Sequence, residues 1–359
     1  MSRFRRRVDD LRSLFSSVEI EALVVSKLEN VRYLSGFTGS AGSLRVTESE
    51  AGLVTDSRYA EQAAAESPDF EIDVTSGAPA VIAATRAAVR RIGFEAGAIC
   101  YDVWEGLRGV VQDKAGGVLV PCRGLVERLR ARKDPSELAL IKQAVDIASQ
   151  AFERTLPMVR PGVSEKDLAL EIEFRMKMAG AEAVAFDLIV ASGPRSSLPH
   201  GRASGRKLAA GEFVVFDIGA RFEGYHSDMT RTIYTGEPGV KECELYETVL
   251  GAQRAAIRAV VPGATAGSVD EAARSVIREK GFGDHFGHGT GHGVGLEVHE
   301  APRVGTSSTE RLEPGMVLTI EPGIYLAGEG GVRIEDMIVV EQNTHQVLTS
   351  LDKTSWALE

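Results

Sequence analysis

Three cysteines, Cys100, Cys122 and Cys243, are all that 359 residues contain. Their number is odd, their spacing is wide and no Cys-x-x-Cys occurs, which argues against a disulfide framework or a thiolate zinc site. Each is expected to be a buried small hydrophobe, and a reducing cytoplasm is the compartment that fits. No apolar run approaches the ~18 residues of a membrane span. No apolar stretch directly follows the basic cluster Arg3, Arg5, Arg6 and Arg7, so the N-terminus does not read as a signal peptide. Positive charge is also scarce: the net charge is −10, which disfavours non-specific nucleic-acid binding. The arginine cluster is read as a solvated helix face. No repeat of 20–50 residues and no low-complexity tract is found.

What is present is an ordinary globular composition, 43% hydrophobic and 26% charged, long enough for one large or two unequal domains. Residues 1–130 alternate short buried strands (Ala22–Val25, Gly52–Thr55) with Ala-rich helices (59–65, 81–89), the pattern of a small α/β domain. Phe37–Gly42 is a turn-rich loop without the Lys-Ser/Thr ending of a phosphate loop. A boundary falls near residue 131, so residues 131–359 form a second domain. There Asp134 is placed as a helix N-cap with Pro135 at the first helical position, and the helix runs to about Leu156. Pro161-Gly162-Val163 breaks the chain, and Ser164 opens a second helix three residues before Asp167 as a capping pattern. A hairpin over 211–233, helices over 241–261 and 268–280, and closing strands complete an α+β domain.

Two pairs of carboxylates stand out. Asp217 lies inside the apolar strand Phe213–Ala220, where an unpaired carboxylate is costly. Beyond the Glu223-Gly224 turn the chain returns through Asp228, so Asp217 and Asp228 become direct or diagonal cross-strand neighbours. Glu321 and Glu335 are symmetric about Gly328 and meet in the same way. Like charges this close repel unless a proton or a cation lies between them. Four of the seven histidines, His285, His288, His292 and His299, fall in one short Gly-rich stretch. Its alternating glycines let backbone and imidazoles crowd a centre, and its spacing is not that of a dinucleotide loop. Four carboxylates and one imidazole, from either His288 or His292, suit two divalent ions about 3.5–4 Å apart. An oxygen-rich set without thiolate leans to Mn²⁺, with Co²⁺ or Zn²⁺ able to substitute. The chemistry is metal-assisted hydrolysis.

The strings Phe216-Asp-Ile-Gly-Ala220, Ser227-Asp-Met-Thr-Arg231, His288-Gly-Thr-Gly-His292, Ile320-Glu-Pro-Gly323 and Val332-Arg-Ile-Glu-Asp336 together resemble the pita-bread metallopeptidases. More narrowly they resemble the Xaa-Pro branch of peptidase family M24B, aminopeptidase P and prolidase. The likeness extends to an N-terminal domain beginning near Asn30–Phe37. It implies a creatinase/prolidase-like α/β domain followed by a pita-bread catalytic domain. It implies metal ligation by Asp217, Asp228, His292, Glu321 and Glu335, choosing His292 over His288. It makes Glu321 the general base for a bridging hydroxide. His200 assists the tetrahedral intermediate or the leaving nitrogen, His299 contacts the substrate carbonyl and His288 borders the proline pocket. Arg333 holds a ligand carboxylate, and Tyr325 packs against the site and shapes it. His226 and His285 receive no role and are taken as structural, and His345 is expected in an exposed turn. An intact ligand set argues against creatinase and against an inactive binding module. A domain like 1–130 argues against methionine aminopeptidase.

The expected substrates are small peptides with proline second. Arg303 resembles a position where some prolidases grip the dipeptide carboxylate, yet Phe37–Gly42 and the short first domain resemble small aminopeptidase P-like proteins. The reading leans to the aminopeptidase. A homodimer is expected, with neither nucleic acid nor membrane as partner.

Overall fold

The computed structural model describes residues 2–114 and 116–358. The chain divides into two compact units, Met1–Arg130 and Ala131–Glu359. In the first, six strands form one mixed sheet: β1 (Ala22–Val25), β2 (Gly42–Thr47), β3 (Ala51–Thr55), β4 (Glu71–Val74), β5 (Arg91–Glu95) and β6 (Val118–Cys122), in the order β4-β3-β2-β1-β5-β6. Among the described residues six α-helices accompany it: α1 (Arg3–Arg12), α2 (Leu28–Ser35), α3 (Ala60–Glu66), α4 (Pro79–Arg86), α5 (Tyr101–Gln112) and α6 (Leu125–Arg130). β1 runs parallel to β5, as does β5 to β6. Their apolar runs are buried by Ala80, Ala83, Ala84 and Leu107 from α4 and α5.

Two sequence expectations hold only in part: Arg3, Arg5 and Arg6 are exposed on α1 and Cys122 is buried, as expected, while Arg7 and Cys100 depart. The arginine cluster does lie on a helix, but Arg7 is buried: its Nη1 donates to the Tyr33 carbonyl at 2.8 Å and its guanidinium lies 4.0 Å from the Tyr33 ring. A guanidinium can be taken out of water when a carbonyl and an aromatic face replace its hydration. Cys100 is exposed, while Cys122 is buried and Cys243 half-buried. Cys100 precedes α5 at the N-cap position, at a helix end rather than in a packed face.

The second unit opens with α7 (Pro135–Thr155), capped by Asp134, whose side chain accepts from the amides of Ser136 and Glu137. α8 (Glu165–Met178) follows, with Ser164 accepting from the Asp167 amide. Then come β7 (Ala183–Val184), β8 (Ile189–Ser192), β9 (Phe213–Ile218), β10 (Ala220–Phe222), β11 (Tyr225–His226) and β12 (Met229–Thr235). Next are α9 (Val240–Ala259), α10 (Ala266–Glu279), β13 (Gly291–Gly293), β14 (Glu300–Val304), β15 (Val317–Ile320), β16 (Gly323–Leu326), β17 (Gly330–Arg333), β18 (Asp336–Val340), β19 (His345–Val347) and β20 (Ala357–Leu358). The main sheets are β20-β12-β9-β8 and β14-β13-β15-β18-β19. His345 is not in an exposed turn: it begins β19, half-buried, with Nδ1 against the Val260 carbonyl at 2.8 Å.

The unit is built twice over. Pro161-Gly162-Val163-Ser164 before α8 matches Pro262-Gly263-Ala264-Thr265 before α10. The Gly162 amide donates to the Leu208 carbonyl, and the Gly263 amide to the Leu312 carbonyl, each at 2.8 Å. Leu208 and Gly211 stand before Asp217 with the same spacing as Leu312 and Gly315 before Glu321. Each half buries its own core. One, under α7 and α8, includes Phe152, Ile172 and Phe216, and the other, under α9 and α10, includes Val249, Val269 and Leu318. This duplication explains why two hairpins each present a carboxylate pair. Among the described residues no helix is long and apolar enough to cross a membrane.

Candidate metal centre

The hairpin register sets the first pair. In β9 and β12, Asp217 lies opposite Thr230 and Ile218 opposite Met229. Asp228, just ahead of β12, is therefore diagonal to Asp217. Glu321 follows β15 and Glu335 precedes β18. Ile320 pairs with Asp336, and on the far side Gly323 pairs with Arg333. The same register thus runs through the break and sets Glu321 against Glu335, as symmetry about Gly328 predicts. Asp228 and Glu335 are buried.

His292 sits in the middle of β13. Its backbone amide donates to Thr319 Oγ1 at 3.1 Å, and its ring Nδ1 lies 3.0 Å from the Gly293 carbonyl. A carbonyl only accepts, so Nδ1 carries the proton and Nε2 presents its lone pair. That Nε2 is 3.6 Å from Asp228 Oδ2 and 3.5 Å from Glu321 Oε1. These distances are too long for good hydrogen bonds and leave room for something between. One ligand atom each from Asp228, His292 and Glu335 lie within 4.8 Å of one another. His288 does not join this cluster.

The glycines around His292 are dictated by crowding. A Cβ on Gly291 would lie 2.0 Å from the Thr319 carbonyl oxygen, and one on Gly293 2.1 Å from that of Ala301. β13 is wedged between β14 and β15, so no other residue fits.

Electrostatics point the same way. Burial, then the charges of Glu335, Asp217 and Glu321, raise the Asp228 carboxyl well above its usual range. Burial, then Glu321 and Asp217, does the same to Glu335. Burial pushes Glu321 up to about 7, with Arg333 opposing. Burial lowers His292 to about 4, so its imidazole is neutral and able to ligate. Asp217 Oδ1 and Asp228 Oδ1 are buried without a hydrogen-bond partner. Orphaned buried carboxylate oxygens beside mutually repelling acids fit a divalent cation, which satisfies the oxygens and cancels the repulsion.

The surrounding side chains form a directed chain. Arg333 Nη2 donates to Asp217 Oδ2 at 2.7 Å, and Arg333 Nη1 to the Tyr325 hydroxyl at 2.8 Å. The Tyr325 oxygen is 2.9 Å from His288 Nε2, and His288 Nδ1 is 2.8 Å from the Gly289 carbonyl. Burial lowers His288 to about 4, so the neutral ring donates from Nδ1 and accepts the Tyr325 proton at Nε2. Tyr325 therefore does more than pack. Thr230 Oγ1 donates to Glu335 Oε2 at 2.8 Å and accepts from Arg333 Nε at 3.1 Å.

A second brace was not foreseen from the sequence. Asp270 of α10 is fully buried. Its Oδ1 accepts from the Thr290 amide and hydroxyl at 3.0 and 2.8 Å, and its two oxygens hold Arg274 at 3.0 Å each. Arg274 in turn donates to the carbonyls of Phe286 and His288 at 2.9 and 2.8 Å. The Thr290 carbonyl accepts from the Glu321 amide at 2.8 Å. The loop bearing His288 and His292 is thereby fixed to α10. A signal existed: Asp270 and Arg274 are four apart on one helix face, a spacing that pairs opposite charges.

A cavity of about 1070 Å³ opens over the cluster. His200, His288, His299 and Arg303 line it, as do Phe186, Asp187, Arg202, Asp284 and His285. The His299 ring is centred 4.2 Å from that of His292, and Arg303 lies directly across the β13–β14 pair from His292. His285, expected to be structural, faces this space. His226 is buried, its Nδ1 3.2 Å from the Gly295 carbonyl.

Two family models match the sequence. Residues 139–342 match metallopeptidase family M24, and residues 7–132 match the creatinase/prolidase N-terminal domain. The chain belongs to metallopeptidase family M24. Within it, the chain lies in the Xaa-Pro aminopeptidase/prolidase branch, with its two-domain, pita-bread architecture. The peptidase YqhT of Bacillus subtilis is 41% identical over 97% of this chain and 98% of its own. The structure of an Xaa-Pro dipeptidase from Bacillus anthracis is 41% identical, with a TM-score of 0.95, covering 99% of this chain and 100% of that one. An X-Pro aminopeptidase structure from Thermotoga maritima is 37% identical, with a TM-score of 0.87, covering 96% and 99%. Membership of M24 makes the chain a peptidase that uses divalent metal.

Proposed function

We propose that this M24 peptidase hydrolyses the Xaa-Pro bond at the N-terminus of short peptides, with Asp217, Asp228, His292, Glu321 and Glu335 holding two divalent ions. The observation that carries this reading is the cluster of buried, mutually repelling carboxylates with orphaned oxygens around one neutral imidazole. Four carboxylates and a single imidazole favour Mn²⁺, with Co²⁺ and Zn²⁺ as substitutes. Bound there, such ions supply Lewis acidity that activates water and polarises a carbonyl.

The chain's own groups divide the remaining work. Glu321 takes the proton of the attacking water. The water oxygen adds to the carbonyl carbon, the bond to the proline nitrogen breaks, and that nitrogen leaves carrying the proton that Glu321 took from the water. His299, beside His292, orients the scissile carbonyl. His200, on the cavity wall, stabilises the tetrahedral oxygen or serves the leaving nitrogen. His288, held by Tyr325, borders the proline ring.

The cavity favours peptides longer than two residues, since about 1070 Å³ is at the upper end of small-molecule sites. Tripeptides Xaa-Pro-Yaa are then cleaved at least as well as Xaa-Pro dipeptides. One observation favours the dipeptidase: Arg303, opposite His292, puts a guanidinium on the cavity wall where it can hold a terminal carboxylate. Measuring kcat/KM on both substrates, with and without Arg303→Ala, decides. A selective loss of dipeptide turnover in the variant makes Arg303 the clamp. Strict dipeptide use by the native protein overturns the aminopeptidase reading. A protein that stays inactive on both substrates with Mn²⁺, Co²⁺ or Zn²⁺ overturns the Xaa-Pro assignment itself. The active form is a homodimer, and the exposed thiol of Cys100 fits a reducing cytoplasm.

A further inference from the structure

Glu165, the first residue of α8, is fully buried, and neither the metal cluster nor the reaction above uses it. Both its oxygens are taken up by one segment of chain, Ser192 to Ser204. Oε1 accepts from the Ser192 amide and hydroxyl, each at 2.8 Å, and Oε2 from the Ser204 amide and hydroxyl at 3.0 and 2.6 Å. Arg195 Nε lies between the two oxygens, 3.3 Å from Oε1 and 3.1 Å from Oε2.

His200 lies inside that segment. Its side chain is exposed on the cavity wall, so its place depends on the backbone that carries it. Arg195 extends the hold of Glu165 past His200, since its Nη2 donates to the Arg202 carbonyl at 2.5 Å. On the cavity side the same segment is tied to β17. The Gly331 amide donates to Ser196 Oγ at 2.9 Å, and Arg333 Nη1 to the Pro199 carbonyl at 3.3 Å. The other half of the unit makes the same backbone joint without a carboxylate. The amides of Glu165 and Lys166 donate to the Arg206 and Ser204 carbonyls at 3.0 Å each, and those of Ala266 and Gly267 donate to the Glu310 and Ser308 carbonyls at 2.8 and 3.0 Å. A buried alanine, Ala266, thus stands where Glu165 stands. The duplicated frame does not require the acid; the segment bearing His200 does.

We infer that Glu165 is a positioning residue for His200: its carboxylate clamps both ends of the Ser192–Ser204 segment and so fixes where the imidazole meets the substrate. This role rests on the one proposed above for His200. Glutamine cannot supply it. Each oxygen takes a backbone N–H, one from Ser192 and one from Ser204, and either orientation of an amide turns its NH₂ toward one of them. One anchor is lost whichever way the side chain lies. A displacement of about 1 Å at a reacting group costs on the order of 100-fold in rate.

A double-mutant cycle with His200→Ala, read by steady-state kinetics on Xaa-Pro-Yaa tripeptides with the full-length, Mn²⁺-loaded protein, tests this. Glu165→Gln is expected to lower kcat about tenfold or more, with KM and Mn²⁺ affinity within about twofold of the native values. In the His200→Ala background the same change is expected to cost less than about twofold, because the group it positions is already gone. Arg195→Met keeps the serine contacts of Glu165 and cuts the tie to Arg202. It is expected to behave alike, and it carries the cycle if Glu165→Gln does not fold. Hydrogen exchange of the backbone amides between 198 and 203 is expected to be about tenfold faster in either variant. Native kcat in the folded variants, or losses that multiply with that of His200→Ala, overturn the positioning role. A native protein inactive on Xaa-Pro peptides overturns the proposed function instead. Exchange then decides the clamp by itself: faster exchange in the variants upholds it, and unchanged exchange overturns it.

Discussion

Arg333 donates to Asp217 through one terminal nitrogen, to Tyr325 through the other and to Thr230 through Nε. Lysine cannot reproduce that planar fork. Arg333→Lys is expected to lower metal affinity or kcat/KM by about 10–100-fold, read by metal titration and initial rates. A variant within twofold of the native protein would remove Arg333 from the support of the site. Tyr325→Phe separates packing from hydrogen bonding, since the ring stays and both hydroxyl contacts go. A loss of about tenfold in kcat/KM is expected, the scale of one hydrogen bond to a charged group, whereas unchanged kinetics would leave Tyr325 a packing residue. The sequence showed the carboxylates at this scale because their spacing about two turns is a local property. It did not show the Tyr325 hydroxyl between His288 and Arg333, because that contact depends on a ring orientation fixed only by folding.

At the scale of elements, α10 acts on the histidine loop through Asp270 and Arg274, while the loop itself carries His292 into the cluster. Asp270→Asn keeps an acceptor for Thr290 but turns an amide N–H toward Arg274. The expected result is a metal affinity lowered by about tenfold or more with α10 still formed, checked by calorimetric titration and circular dichroism. Native affinity in the variant would reduce the brace to a packing feature. Charges four apart on a helix usually read as a solvated pair, which is why the spacing signals the Asp270–Arg274 pair but not its hold on the histidine loop. Helix starts were legible, because Asp134 and Ser164 bond to amides two or three residues away. The doubling of the second unit escaped a search for 20–50-residue periods because the matching segments, at Pro161 and Pro262, lie much farther apart.

For the whole molecule, the buried acids link metal, pH and stability. In the metal-free protein Glu321 titrates near 7, and Asp228 and Glu335 are also raised. In the unfolded chain all three titrate near 4. Between pH 6.5 and 8 the folded metal-free state therefore binds more protons than the unfolded one, and its stability falls as pH rises. The lowered histidines His288 and His292 act in the opposite sense, increasingly as pH falls through about 6.5, where the unfolded imidazoles gain protons. Thermal melts in chelator should show Tm decreasing from pH 6.5 to 8, with saturating Mn²⁺ removing most of the decline. A metal-free Tm that rises across this interval would contradict the proton inventory. The fold class was legible at this scale from strand and helix periodicity. Cys100, Arg7 and His345 were not, since each environment is set by residues distant in sequence.

The tight fit of Gly291 and Gly293 against neighbouring carbonyls bears on redesign. With a Cβ at either position about 2 Å from a backbone oxygen, this side of the cleft is a fixed wall, closed to stepwise variation. A library aimed at new peptide selectivity gains nothing by randomising 291 and 293 and loses folded members there. The adjustable part of the cleft is its mouth, where Arg202, Asp284, His285 and Arg303 face the same space without that backbone crowding, and where a change of side chain leaves the strands around His292 as they are.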